Sequence, residues 1–338
     1  MNFKDEAFAL LPEIQRHRRM IHQHPELSFH EEKTTAYIQK ELEALGIEVT
    51  RFDDYYGLIG TLRGGKKGKT VLLRADIDAL PITEENELPY CSENKGVMHA
   101  CGHDCHTAML LGAAKLLARQ RDELEGTVKF LFQSAEESGH GSNYYVDHGC
   151  FEGVDGAMAM HVMNEIPKGT FSIEEGPRMA SCTDFTLTVH GVSTHGSMPH
   201  LGKDAIVAAS AIIMNLQTLE SRVNNALRPL VITIGTVRAG GQFNIVSDKV
   251  EMTGTIRTFD PENFRAMPIS LKKLAEATAE ALGCTAEMSI QTSEPAAIND
   301  KPLLVETARK AAVKLYGEDV RASMQQKMGG AEVDGSWE

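Results

Sequence analysis

The chain has 338 residues, 42% of them apolar and 24% charged, an ordinary globular composition that is long for one hydrophobic core and favours two domains. A formal charge of −13 argues against nucleic acid or an anionic membrane surface as a partner. No run nears the ~18 apolar residues of a membrane span, the start "MNFKDEAFALLPEIQRHRRM" has no signal-peptide core, and the six cysteines are scattered, so the expected location is the cytoplasm.

In chain order, "HEEKTTAYIQKELEALG" (30–46) has apolar residues at helical spacing and ends in Gly46, a C-cap signal. "TVLLRADI" (70–77) reads as a buried strand, 107–126 as a helix, "TVKFLFQSAEE" (127–137) as a strand, and "GAMAMHV" (156–162) as another strand. Strands alternating with helices predict an α/β domain with a mostly parallel sheet flanked by helices. After about residue 180 the pattern changes. "TDFTLTVHG" alternates, with Phe185, Leu187 and Val189 on one face and Thr186, Thr188 and His190 on the other. A helix over 204–223, strands over 230–240 and 248–260, a helix capped by Asp260 with Pro261 at its first position, and the strand "TAEMSIQ" complete a β-α-β-β-α-β unit. The expected domains are 1–179 with 293–338, and an inserted 180–292, with a final helix over 300–317 returning to the first.

The stretch "MHACGHDCHTA" (98–108) places two cysteines, three histidines and an aspartate within eight positions, His99 to His106. Cys101 and His103 stand two apart in a glycine-containing turn before a helix, and thiolate with imidazole suits a borderline transition metal. Alone, such a pair reads as a buried cysteine and a surface histidine. The adjacent Glu136 and Glu137 end a predicted strand, as does His161, and Asp76 and Asp78 end another. An α/β sheet gathers its site at such strand ends. A lone Glu-Glu pair would be a solvated helix start, and a lone histidine a satisfied core residue. Four strand or turn ends bearing metal-capable groups point jointly to a metal site; if Glu137 binds a metal there, Glu136 can face the cleft and take a proton from a metal-bound water.

These residues carry a resemblance. The sequence is similar to the metal-dependent amidohydrolases of the aminoacylase and carboxypeptidase clan, in the branch of hippurate hydrolases, N-acetyl-diaminopimelate deacetylases and auxin-conjugate hydrolases. The matching text is "HPELSFHE" (24–31), "LRADIDALP" (73–81), "MHACGHDCHTAMLLGAA" (98–114), "FQSAEE" (132–137), "AMHV" (159–162), "HGSMPH" (195–200) and "GTIRTFD" (254–260). The resemblance implies that Cys101, His103, Glu137 and His161 bind a pair of divalent metals (zinc, manganese, nickel or cobalt), with His103 or the thiolate near the bridging role. It implies Glu136 as general base, Asp78 as the carboxylate that orients the ligands, and His195 as the group that stabilises the oxyanion, often from the other subunit of a dimer. Asn244 and Arg257 would hold the substrate's carboxylate, and the inserted domain would act as lid and dimerisation surface. No ligand role carries over to Asp104, Cys105 or His106, and His24 and Glu26 are expected to be structural. The implied reaction is hydrolysis of the amide bond of N-acyl amino acids or similar small amides.

The match ends after Met328-Gly329-Gly330, where that family continues from a "GGEDF"-like stretch to a final histidine ligand. Here the chain reads "KMGGAEVDGSWE", and no histidine follows His200. This reads as a C-terminally truncated chain and gives a second expectation, a homologue that folds and binds ligand or metal without turnover. A third makes Cys101 or Cys105 a thiol nucleophile beside a histidine, inactivated by alkylation and resistant to chelators.

Overall fold

Helices α1 (Phe3–Gln23) and α2 (Glu32–Ala44) lead into strands β1 (Glu48–Arg51), β2 (Leu58–Arg63) and β3 (Lys66–Asp76). A long loop then gives way to α3 (His103–Ala118), β4 (Glu125–Gln133), α4 (Gly141–Asp147) and β5 (Gly156–Ala159). In this computed structural model, which describes residues 3–139 and 141–328, the five strands form one sheet in the order β1-β2-β4-β3-β5. Strands β4, β3 and β5 run parallel, and β2 and β1 extend the sheet antiparallel at one edge. Strand β4 reads as a continuous apolar run because both of its faces are covered. Phe130 and Phe132 pack in one cluster with Ile38 and Leu42 of α2 and Leu110 and Leu111 of α3, while Leu131 joins Ile59, Leu72 and Tyr145 in another.

The parallel strands share a register that brings their C-terminal ends together, with Asp76 opposite Gln133 and Arg74 opposite Ala159. The residues just beyond those ends are the Asp76–Asp78, Glu136–Glu137 and His161 segments.

The second unit contains β6 (Gly176–Met179), β7 (Ser181–His190), β8 (Thr194–His195), α5 (Ala205–Thr218), β9 (Leu230–Ala239) and β10 (Ile245–Val246). It continues with β11 (Lys249–Thr258), α6 (Pro261–Ala281), β12 (Thr285–Glu294) and β13 (Ala297–Asn299). Its four-stranded sheet, β12-β7-β11-β9, is antiparallel throughout and carries α5 and α6 as the β-α-β-β-α-β pattern predicts. Phe185, Leu187 and Val189 are buried against Ile212, Leu216 and Leu271. Asp260 caps α6 by accepting from the Glu262 and Asn263 amides at 2.9 Å, with Pro261 in the first turn. The short pair β6–β13 belongs to this unit too, so the chain divides as Met1–Glu174 with Lys301–Met324, and Glu175–Asp300 with the chain from Gln325. Helix α7 (Pro302–Tyr316) returns to the first unit. The expected departure beyond Met328 falls on residues outside the described ones. No helix among the described residues is long and apolar enough to cross a membrane.

Candidate metal centre

Helix α3 starts at His103, and Gly102 immediately before it adopts φ 92°, a left-handed conformation that suits glycine. A Cβ at Gly102 would lie 2.4 Å from Val162 Cγ2, so this glycine also permits the segment after β5 to lie against the start of α3. That approach sets Cys101 Sγ 3.4 Å from His161 Nε2. The Nδ1 edge of His103 is held by Asp78, 3.0 Å from its carbonyl oxygen and 3.2 Å from Oδ1. Its Nε2 points inward, 3.5 Å from Asp76 Oδ2 and 3.7 Å from one oxygen each of Glu136 and Glu137. Asp78 is itself fixed, because Oδ2 accepts from Ser28 Oγ at 2.7 Å and from the Glu137 amide at 2.9 Å. The first unit therefore brings together Asp78, Cys101, His103, Glu136, Glu137 and His161, residues spread over eighty-odd positions of sequence.

The chain matches Peptidase family M20/M25/M40 over residues 72–334. It belongs to this family. Among its relatives, N-acetylcysteine deacetylase of Bacillus subtilis is 40% identical over 314 residues, covering 93% of this chain and 82% of the relative. The N-acyl-L-amino acid amidohydrolase of Geobacillus stearothermophilus is 40% identical over 290 residues, covering 84% of this chain and 78% of the relative. A solved structure of similar fold is that of the YxeP protein of Bacillus subtilis, a dinuclear metal-binding peptidase of the M20 family. It has 37% identity and a TM-score of 0.82, covering 96% of this chain and 85% of that one.

The donor set of this M20-family chain fits divalent metal. His103 Nε2 and Glu137 Oε1 are buried, lack hydrogen-bond partners and lie 3.7 Å apart. Donor atoms on one tetrahedral ion at ~2.0–2.3 Å stand roughly 3.3–3.7 Å from each other, and the Cys101–His161 pair has similar spacing. His161 Nδ1 donates to the Val162 carbonyl at 2.7 Å, which leaves the Nε2 lone pair available for coordination.

Burial and the crowding of acids set the electrostatics. Burial pushes Glu137 up to about 7, with the Glu136 charge adding to it. Glu136 also rises through burial, against the pull of Arg74. Burial would drive Asp76 up too, but Arg74 at 2.7 Å, His103 and His106 outweigh it and hold this carboxylate well below its usual range. Burial opposes charge on His103, yet Asp76 and the hydrogen bond to Asp78 push its pKa up to about 12. A cation must displace that proton to coordinate, so metal affinity rises with pH.

Several supporting groups lie in the matching stretches 24–31 and 98–114 but received no site role from the sequence. Glu31, fully buried, accepts the Ala135 amide at 2.8 Å and the Ser134 hydroxyl at 2.7 Å, directly beneath the turn that presents Glu136 and Glu137. Ala135 has φ 59°, a strained conformation for a residue with a Cβ, and the Glu31 carboxyl group braces it. Glu26 accepts the Lys33 and Thr34 amides at the start of α2. Asp104 is tied to His22 and Arg18, each at 2.9 Å.

Burial pushes Glu31 up to about 7, from an ordinary value of 4.5. The folded chain then keeps a proton that the unfolded chain releases. This group's contribution to stability is full below about pH 4.5 and is lost as the pH rises through 7, a change of roughly 3 kcal/mol. Glu31→Gln, which never ionises, is expected to gain that much relative to the parent between pH 4.5 and 8 in urea unfolding. An equal stability difference at both pH values would contradict the assignment.

The remaining expected residues belong to the second unit. His195 is exposed, with Nδ1 2.8 Å from Ser197 Oγ, and it pairs with Ile245 across β8–β10. Asn244 lies beside it, its carbonyl accepting the Gly196 amide at 2.7 Å. Arg257 does not join them. It sits on β11 opposite Cys182, whereas the end of β11 near β10 is Lys249, opposite His190. Eight residues of strand separate those positions, about 26 Å.

Proposed function

We propose that this chain is a metal-dependent amidohydrolase that cleaves N-acyl amino acids to a carboxylic acid and an amino acid. The observation that carries this reading is the buried Glu136 carboxylate facing the same His103 edge as Glu137, beside the Cys101–His161 pair. The names of the relatives, an N-acetylcysteine deacetylase and an N-acyl-L-amino acid amidohydrolase, support the substrate class.

Cys101, His103, Glu137 and His161 would hold two divalent ions; the thiolate suits zinc rather than magnesium or calcium, and the family resemblance adds manganese, nickel and cobalt as candidates. When bound, the ions polarise the amide carbonyl and acidify water. Glu136 accepts a proton from the attacking water as its oxygen bonds to the carbonyl carbon. It returns that proton to the nitrogen as the C–N bond breaks, so the amine leaves neutral. Asp78 keeps His103 in the tautomer with Nδ1 protonated. His195 donates to the developing oxyanion, and Asn244 and the planar fork of Arg257 hold the substrate carboxylate.

One copy of the second unit holds His195 and Asn244 far from Arg257 along the sheet, which supports a homodimer in which the partner copy supplies the first pair. Among the described residues strand β9 is an edge of its sheet, and exposed apolar residues line it and α5, among them Val237 (53%), Val207 (54%) and Met214 (71%). The six cysteines are free, as suits a reducing compartment, the cytoplasm.

The test is amine release from N-acetyl amino acids by the purified chain loaded with each of the four metals, with mass in solution measured by light scattering. Release that requires metal and a mass of two chains are expected. No release with any metal from any of a panel of acyl amino acids would overturn the reading.

A further inference from the structure

We infer that His106 is a positioning residue for His161, acting through the backbone of Val162. The inference rests on the reading of His161 as a metal ligand. His106 lies in the first turn of α3 and is 3% exposed. Its Nδ1 is 2.6 Å from Asp76 Oδ1, at the end of β3, and its Nε2 accepts the Val162 amide at 2.9 Å. A ring that accepts at Nε2 must carry its proton on Nδ1, where the Asp76 carboxylate accepts it. Both nitrogens are thereby used, so His106 is not itself a ligand even though it lies within ligand distance of Asp76 and His103.

The other side of Val162 is gripped as well. Its carbonyl accepts from His161 Nδ1 at 2.7 Å, which fixes the His161 tautomer and turns its Nε2 toward Cys101. The ladder of the sheet cannot do this work, because β5 ends at Ala159. Packing holds the segment from one side only, where Val162 lies against Gly102, since Met160 and Val162 are otherwise 60% and 39% exposed. The His106 and His161 rings are 4.6 Å apart between centroids, tilted by 65°. A continuous path therefore runs from the Asp76 carboxylate through the His106 ring and the Val162 peptide to the His161 ring. It transfers the rigidity of a central strand to a ligand on an irregular segment. Supporting groups of this kind typically tune metal affinity by about 10–100-fold.

The experiment is titration of the metal-free chain with Co(II), read by affinity and by the visible spectrum, for the parent, His106→Gln, His161→Asn and the double variant. His106→Gln is expected to weaken the His161-dependent ion by about 10–100-fold and to shift its cobalt bands, leaving the other ion in place. The double variant is expected to bind no more weakly than His161→Asn alone, because the role is exercised through His161. Additive losses, or an unchanged affinity in His106→Gln, would overturn the inference. If His161→Asn itself retains both ions with parental affinity, the ligand reading fails and this inference with it. Loss of one ion in His161→Asn but not in His106→Gln removes only the inference. On the unsubstituted chain, 15N spectra of the His106 ring must show the proton on Nδ1 and a bare Nε2. The opposite tautomer, or an imidazolium, would also overturn it.

Discussion

Replacing Glu136 by Gln is expected to lower kcat for amide hydrolysis by about 10²–10⁴-fold while leaving the metal content of the chain unchanged. The substitution keeps shape and volume but removes the ability to take a proton. Glu136 is buried and held above the usual glutamate range by that burial, the condition that suits a group accepting and returning a proton near neutral pH. Its neighbour should behave differently. Glu137 has a buried oxygen without a hydrogen-bond partner facing His103 Nε2, so Glu137→Gln is expected to lose metal and, with it, turnover. Elemental analysis alongside steady-state kinetics separates the two cases. Equal metal loss in both variants would mean that both carboxylates are ligands and that the base lies elsewhere.

Removal of metal by a chelator is expected to abolish turnover and to lower the stability of the first unit, with both restored by adding a divalent ion back. Each ion held at a hundred times its dissociation constant would stabilise the fold by about 2.7 kcal/mol. The metal-free site is also acid-rich. Arg74 and His106 compensate Asp76, but Asp78, Glu136 and Glu137 also crowd His103, and His103 Nε2 and Glu137 Oε1 lack hydrogen-bond partners. Alkylation separates this from thiol catalysis. With metal bound, Cys101 is expected to be protected from iodoacetamide and activity preserved, whereas the metal-free chain should be modified and then fail to reload. Activity that survives chelation and is lost on alkylation would instead support a cysteine nucleophile.

Much of the site was legible because α/β folds place their chemistry at the ends of parallel strands. Asp78, Glu136, Glu137 and His161 all follow apolar runs in the sequence, and Cys101 and His103 precede a strong helix. The second unit was legible for a similar reason. The alternation of Phe185, Leu187 and Val189 and the Asp260-Pro261 start of α6 are local signals, and the structure bears out both. The antiparallel edge β1–β2 was not read, since two strands of 4 and 6 residues carry too little periodicity.

The sequence alone determined the strands and helices with strong periodicity and the inventory of metal-capable residues. Only the tertiary structure decided which of those residues share a site and what supports them. Glu31 braces Ala135 across 104 residues, His106 reaches Val162 across 56, and His195 meets Asn244 rather than Arg257. Periodicity reports which face of an element is buried. The partner of a buried polar group is set by strand order and register, and these emerge only when distant segments pack.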